Sequence, residues 1–426
     1  MTSATNPPAQ RRFGNWFFGW NALGLSIFVV AMTMGIIFSS FTFFVLAWMD
    51  DFGVDRGEAM ITLAITQLLA GVISPFGGRA MDRLSIRWVG VTGLLAFAAG
   101  LFLLSLATSM WQIMAIYAVF FSMAFSLAGP ILAQTMAAKW FRKRRGFAIG
   151  LASLGSSIGG FAFPPVTAML IQSLGWRPTT AVLAVFVVVV GLPAFGLFVR
   201  NSPQDKGVDP EPENPVLGAR PLSDNQWTTR KILSEKTFWL LVLAFLPLLF
   251  MTSGFTINLG PYTRDLELST ANAAMLMSLW AGVMIVGKLG FGYLTDRYNH
   301  RLLFVGMLVF YLCALFVLSL NPGITVLMAA IVMLALVSGG LMPIQGAMIS
   351  HFFGPLAFGS VLGLFSLFIR PVAFAGPLGG WIRDTQGSYD LYWLGGMVVS
   401  LVLGSLIFFA APSAAVAPPV AANADQ

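Results

Sequence analysis

Charge is scarce in this chain of 426 residues. Only 10% of them are Asp, Glu, Lys or Arg, where a soluble domain of ordinary composition carries about 25%. Together with 57% hydrophobic residues and a mean hydropathy of +0.82, this excludes a soluble fold and points to a polytopic, all-α membrane protein. Cysteine is nearly absent as well. The single Cys313 lies inside an apolar run, so neither an intrachain disulfide nor a thiolate metal centre can form. The two histidines, His300 and His351, fall at the ends of predicted spans, and no metal site is expected. No GxxxxGK[ST] loop is present, which argues against ATP-driven work. No cofactor is expected, nor any catalysis of covalent chemistry. The net charge of +7 does not indicate a nucleic-acid partner, because the basic residues sit in short loops between apolar segments, where membrane topology accounts for them.

Runs of about 20 apolar residues suffice to cross a hydrocarbon core of roughly 30 Å. They recur over 17–48, 57–78, 86–107, 110–138, 145–173, 178–200, 237–263, 272–295, 301–320, 324–350, 357–383 and 389–411. Residues 1–16 read as a polar N-terminal tail, and Arg11-Arg12-Phe13 faintly matches a twin-arginine signal. The apolar run that follows, from about Trp16 to Met49, is too long for a cleavable signal, so it reads as a retained first span. The one long polar connection, 201–236, separates a bundle over 17–200 from a second over 237–411. The Ala/Pro-rich tail, 412–426, has a disordered composition. With both termini inside, the inner segments hold 18 of the 24 lysines and arginines and the outer loops four. This asymmetry predicts cytoplasmic termini and a cytoplasmic central connection in the plasma membrane, here a bacterial inner membrane.

The loops after spans 2 and 8 share the pattern G-x-x-x-D-R, at Gly78/Asp82/Arg83 and Gly292/Asp296/Arg297. The same motif at the same place in each half implies two pseudo-symmetric six-helix bundles. The motif also resembles the signature loop of the major facilitator superfamily, and the likeness extends over all twelve spans. Three further segments narrow the resemblance to the monocarboxylate-porter and oxalate/formate-antiporter branch: FGVDRGEA (Phe52–Ala59), WFRKRRGFAIGLASLGSSIGG (Trp140–Gly160) and GWRPT (Gly175–Thr179). The resemblance implies alternating access, with Asp82 and Asp296 making charge contacts with the loop arginines at a cytoplasmic gate.

All 17 acidic residues lie outside the apolar cores, whereas two cations lie within them, Lys288 on span 8 and Arg370 on span 11. A buried cation with no fixed counter-charge is costly, and an anionic substrate would neutralise both. Each has a plainer alternative. Lys288, eight residues before Asp296, could snorkel to the cytoplasmic interface, and Arg370 could bond backbone carbonyls. In the family, a basic residue on span 8 precedes the signature glycine by four residues, as Lys288 precedes Gly292, and the oxalate branch has another basic residue on span 11. Lysine in place of the usual arginine gives up the two-pronged grip on a carboxylate, which Arg370 could supply. Animal-type monocarboxylate porters also have a lysine on span 1 and an aspartate before the span-8 arginine. Ser40 and Met284 stand at those places here, so the resemblance does not carry proton coupling over to this chain.

Aligning the halves pairs Lys288 with Ser74 and Arg370 with Ser157. Gln134, Asn258, Tyr262, Trp280 and Gln345 are further polar candidates for the substrate site, each with a helix–helix bond as its plainer role. The expectation is a monomeric carrier in the lipid bilayer that moves a small mono- or dicarboxylate, with a proton or a second anion as the coupled species. A carrier of a neutral or aromatic metabolite or drug, and a transporter-like sensor of an external anion, are the alternatives.

Overall fold

The computed structural model describes residues 18–201, 227–267, 270–320 and 323–410. The tails assigned to 1–16 and 412–426, and most of the central connection, lie outside them. Among the described residues, twelve helices are long and apolar enough to cross a bilayer: spans 1 to 6 are Gly19–Phe52, Glu58–Arg83, Ile86–Ser105, Met110–Trp140, Arg145–Leu174 and Trp176–Phe198. Spans 7 to 12 are Lys236–Leu259, Met275–Thr295, His300–Ser319, Ile324–Phe353, Pro355–Gln386 and Asp390–Phe409. All twelve sequence runs are thus helices, with ends shifted by a few residues. Span 1 continues to Phe52 because Gly53, in the left-handed region at φ +64°, is the first residue that stops it.

Since lipid is as apolar as leucine, helices in a bilayer associate by close packing and interhelical hydrogen bonds. Both are visible here. Gly155 and Gly159 of span 5 lie against the backbone of span 1 at Ile27 and Ala31. The Thr167 hydroxyl donates to the Ser40 hydroxyl at 3.0 Å, tying the same two spans. At the end remote from the signature loops, each half has its own aromatic cluster, Phe41, Trp48, Tyr117 and Trp176 in one and Tyr262, Tyr389 and Trp393 in the other. The ion pairs at that end also stay inside one half. Arg177 meets Asp51 at 2.7 Å, and Arg383 grips both oxygens of Asp265 at 2.8 and 2.9 Å.

Three spans contain a short π-helical stretch, at Gly35–Ser39, Tyr117–Phe121 and Val187–Gly191. Span 11 is broken outright. One helix runs over Phe358–Phe368, a 3-10 turn over Arg370–Phe374, and a second helix over Ala375–Gln386. Pro371 explains the break, because it has no N–H and its ring clashes with the carbonyl four residues back. The last part of the central connection is ordered too. Trp227 packs on Phe353 at 5.2 Å, and a short helix over Thr229–Ser234 follows, capped by Thr228. The polar composition upstream gives no sign of this docked segment.

Candidate functional site

The two halves meet at the signature-loop end, where small residues allow backbone to touch backbone. A Cβ on Gly78 would fall on the Gly359 carbonyl, and one on Gly146 would lie 2.7 Å from the Gly292 carbonyl oxygen. This brings span 2 against span 11, and span 5 against span 8. Each signature aspartate then crosses the seam. The Asp82 carboxylate accepts from the amides of Gly359 and Ser360 at 3.0 and 2.6 Å. Asp296 accepts from Gly146 and Phe147 at 2.6 and 2.9 Å. Both carboxylates therefore sit at the start of a helix in the other half, where free N–H groups and the helix dipole favour negative charge. Arg83 and Arg297 of the signature loops are exposed, and Arg297 lies over the Tyr293 ring at 4.3 Å. Arg145 adds another bond between the halves, donating to the Ser350 hydroxyl at 2.8 Å. Asp82→Ala and Asp296→Ala are each expected to weaken this closure by about 1–2 kcal/mol. The check is faster labelling of a cysteine placed in the seam, with the double variant more open than either single one.

The two membrane-embedded cations lie farther in, at matched depth. Ser157 and Arg370 are each eleven residues beyond the seam glycine of their helix, Gly146 and Gly359, about 16 Å along a helix axis. Lys288, 5% exposed, does not snorkel toward the interface. Its ammonium crosses to span 5 and donates to the Ser157 hydroxyl at 2.7 Å, the Ser153 carbonyl at 3.1 Å and the Ser156 hydroxyl at 3.4 Å. Arg370 crosses to the other half as well, but finds no such partner. Its chain runs past Gly71, where a Cβ would lie 2.7 Å from its Cγ, and its guanidinium carbon is 5.9 Å from the centre of the Phe125 ring. Phe125 in turn meets Phe38 at 5.2 Å. The buried Nε of Arg370 has no hydrogen-bond partner among the described residues. Farther along the same spans, Phe161, one turn past Ser157, is 85% exposed, and Phe374, in the turn that Arg370 opens, is exposed as well.

The remaining polar candidates are distributed unevenly. Ser74 lies in the seam between spans 2 and 11, and its hydroxyl donates to the Ala70 carbonyl at 2.6 Å. Asn258 bonds Gly254 and Gly376, joining spans 7 and 11, while the Tyr262 hydroxyl donates to Leu318 at 3.4 Å. Trp280 packs on Phe255 at 4.8 Å. These three belong to the helix packing of one half. Gln134 and Gln345 are both buried, and the Gln134 Oε1 has no hydrogen-bond partner among the described residues. Sequence reasoning missed Ser153, Ser156, Gly71, Phe125 and the pair Arg145–Ser350. The Gly-Ser-Ser run at 155–157 was the one available signal, since repeat alignment had already singled out Ser157.

The sequence profile of the Major Facilitator Superfamily matches residues 23–377, with a second match over 277–424. Monocarboxylate transporter 12 of Xenopus laevis is 29% identical over 403 residues, covering 89% of this chain and 85% of that protein. The rat monocarboxylate transporter 12 is 26% identical over 415 residues, covering 89% and 82%. An uncharacterized MFS-type transporter of Bacillus subtilis, YcxA, is 25% identical over 385 residues, covering 86% and 89%. Among solved structures, the human organic anion transporter MFSD10 superposes with a TM-score of 0.66 at 14% identity, covering 95% of this chain and 99% of that one. A bacterial homologue of the iron transporter ferroportin superposes with a TM-score of 0.71 at 15% identity, covering 92% and 98%. Twelve apolar helices in two halves, a signature loop repeated at the seam and a profile match over most of the length lead to one conclusion: the chain is a transporter of the Major Facilitator Superfamily.

Proposed function

We propose that the protein carries a small organic anion, a mono- or dicarboxylate, by alternating access, and that Arg370 is the principal receptor for the carboxylate. The observation that carries this reading is the guanidinium itself. It is held in the helix break of span 11, with its buried Nε unpartnered and no carboxylate paired to it among the described residues. Leaving such a group unneutralised costs several kcal/mol, and a carboxylate can meet it with two parallel hydrogen bonds. Broken helices at the repeat interface are where carriers of this kind build their sites. The names of the monocarboxylate transporters among its relatives agree with the substrate class. With the termini cytoplasmic, as the distribution of basic residues indicates, the sealed seam faces the cytoplasm. Lys288 adds a second positive charge.

The rings of Phe38 and Phe125 beside Arg370 favour one other reading, a neutral aromatic substrate. Thermal unfolding of the purified protein separates the two. A carboxylate substrate at a hundred times its Kd stabilises by about 2.7 kcal/mol, so the matching acid is expected to raise Tm by several degrees while its amide does not. Stabilisation by the amide and the acid alike would favour the neutral substrate.

A further inference from the structure

Lys288 is not free to greet a ligand in this conformation, and the reason is specific. An ammonium has three N–H donors. All three have an acceptor here, and all three acceptors belong to span 5 of the opposite half: the Ser157 and Ser156 hydroxyls and the Ser153 carbonyl. The carbonyl oxygen of Lys288 lies against Gly150 of the same helix, so the lysine continues the seam between spans 5 and 8 inward from Gly146 and Gly292. By contrast, Arg370, the counterpart of Ser157 in the repeat, has a buried Nε with no hydrogen-bond partner among the described residues.

We infer that Ser156 and Ser157 are positioning residues that hold Lys288 as a latch between the halves, released by the anion that docks at Arg370. The inference rests on the carboxylate reading above. A second carboxylate oxygen, or the same group moving deeper, can take a Lys288 N–H only by displacing a serine of span 5. Anion binding and the tie between the halves therefore compete for one ammonium. By linkage, a ligand that binds the released form more tightly shifts the protein toward it. Substrate arrival at the open side then loosens the closed side, which is the coupling an alternating-access carrier requires. Without substrate, the latch holds the seam and limits idle interconversion.

The test uses the full-length protein with Cys313→Ala and a reporter at Ile149→Cys, a position buried at the seam against Gly346 of span 10. Maleimide labelling is measured without anion, then with lactate, pyruvate or oxalate. Ser156→Ala/Ser157→Ala is expected to raise labelling without anion by roughly tenfold, the value of one hydrogen bond to a charged group. It should also tighten the binding of whichever acid binds the parent protein by a similar factor. Ser157→Thr, which keeps a hydroxyl, should restore both values toward those of the parent. Unchanged labelling without anion, or a carboxylate affinity that falls instead of rising, overturns the latch. If no acid binds the parent protein, the carboxylate reading fails, while the anion-free labelling still decides whether Lys288 ties the halves.

Discussion

Arg370→Gln is expected to abolish carrier-mediated flux, lowering it by about 100-fold or more, while folded protein still reaches the membrane. The substitution keeps length and hydrogen-bonding capacity but removes the charge, and charge-assisted bonds to carboxylates are about twice as strong as neutral ones. In a dry site a single such bond is worth about 1.5–3 kcal/mol, and a two-pronged contact loses both. Stability should rise rather than fall, because the guanidinium has no hydrogen bond from its buried Nε to lose. This opposition separates a functional arginine from a structural one. An arginine bonded to carbonyls would, on substitution, destabilise the fold and affect flux only through lost protein. Arg370→Lys keeps the charge without the planar fork, and an intermediate flux with a raised KM is expected. Size-exclusion profile, Tm and initial uptake rate, measured on the same preparations, check all three statements.

The second large effect lies at the seam. Gly78 and Gly359 approach backbone to backbone, and Gly359 would also bring a Cβ 2.8 Å from Asp82 Oδ1. The obstacle is a carbonyl and not a flexible side-chain end, so it cannot simply turn aside. Gly78→Val is expected to prevent closure of the signature-loop end and lower transport by at least about tenfold, with the Ile149→Cys reporter labelled almost completely. The helix itself should gain slightly from losing a glycine, by about a few tenths of a kcal/mol, since Val is only a little better than Gly in a helix, so the loss would come from the seam and not from span 2. Gly24→Ala and Gly306→Ala are the controls. Nothing lies within 4 Å of a Cβ at either site, and their transport should match that of the parent protein.

The architecture was legible because membrane physics leaves few choices. Apolar runs of bilayer length must be helices, and all twelve runs are spans in the structure, displaced by only a few residues at their ends. The repeated G-x-x-x-D-R likewise marks equivalent places in the two halves, and in each the aspartate bonds two amides of the other half. What the aspartates bind was not legible, since a backbone N–H carries no sequence signature. Gly359–Ser360 and Gly146–Phe147 serve as acceptor-seeking helix starts only once the halves are docked. The fate of Lys288 illustrates the same limit. Spacing along span 8 placed it about 12 Å from Asp296, equally consistent with snorkelling or with an inward site, and only the neighbouring helix decides. Asn258 and Tyr262, polar within their spans, make hydrogen bonds between helices, the plainer of the two roles open to them. Span 11 reads as one apolar run in the sequence, whereas the structure breaks it at the arginine that precedes Pro371.

The central claim is that this carrier moves an organic anion neutralised by Arg370. Counterflow tests it most directly: proteoliposomes preloaded with unlabelled acid, diluted into trace amounts of the labelled acid, across a panel of mono- and dicarboxylates and their amides. The account predicts transient overshoot of label for at least one acid, none for its amide, and none for any acid with Arg370→Gln. Overshoot with a neutral compound alone, or an acid overshoot undiminished in Arg370→Gln, would contradict it.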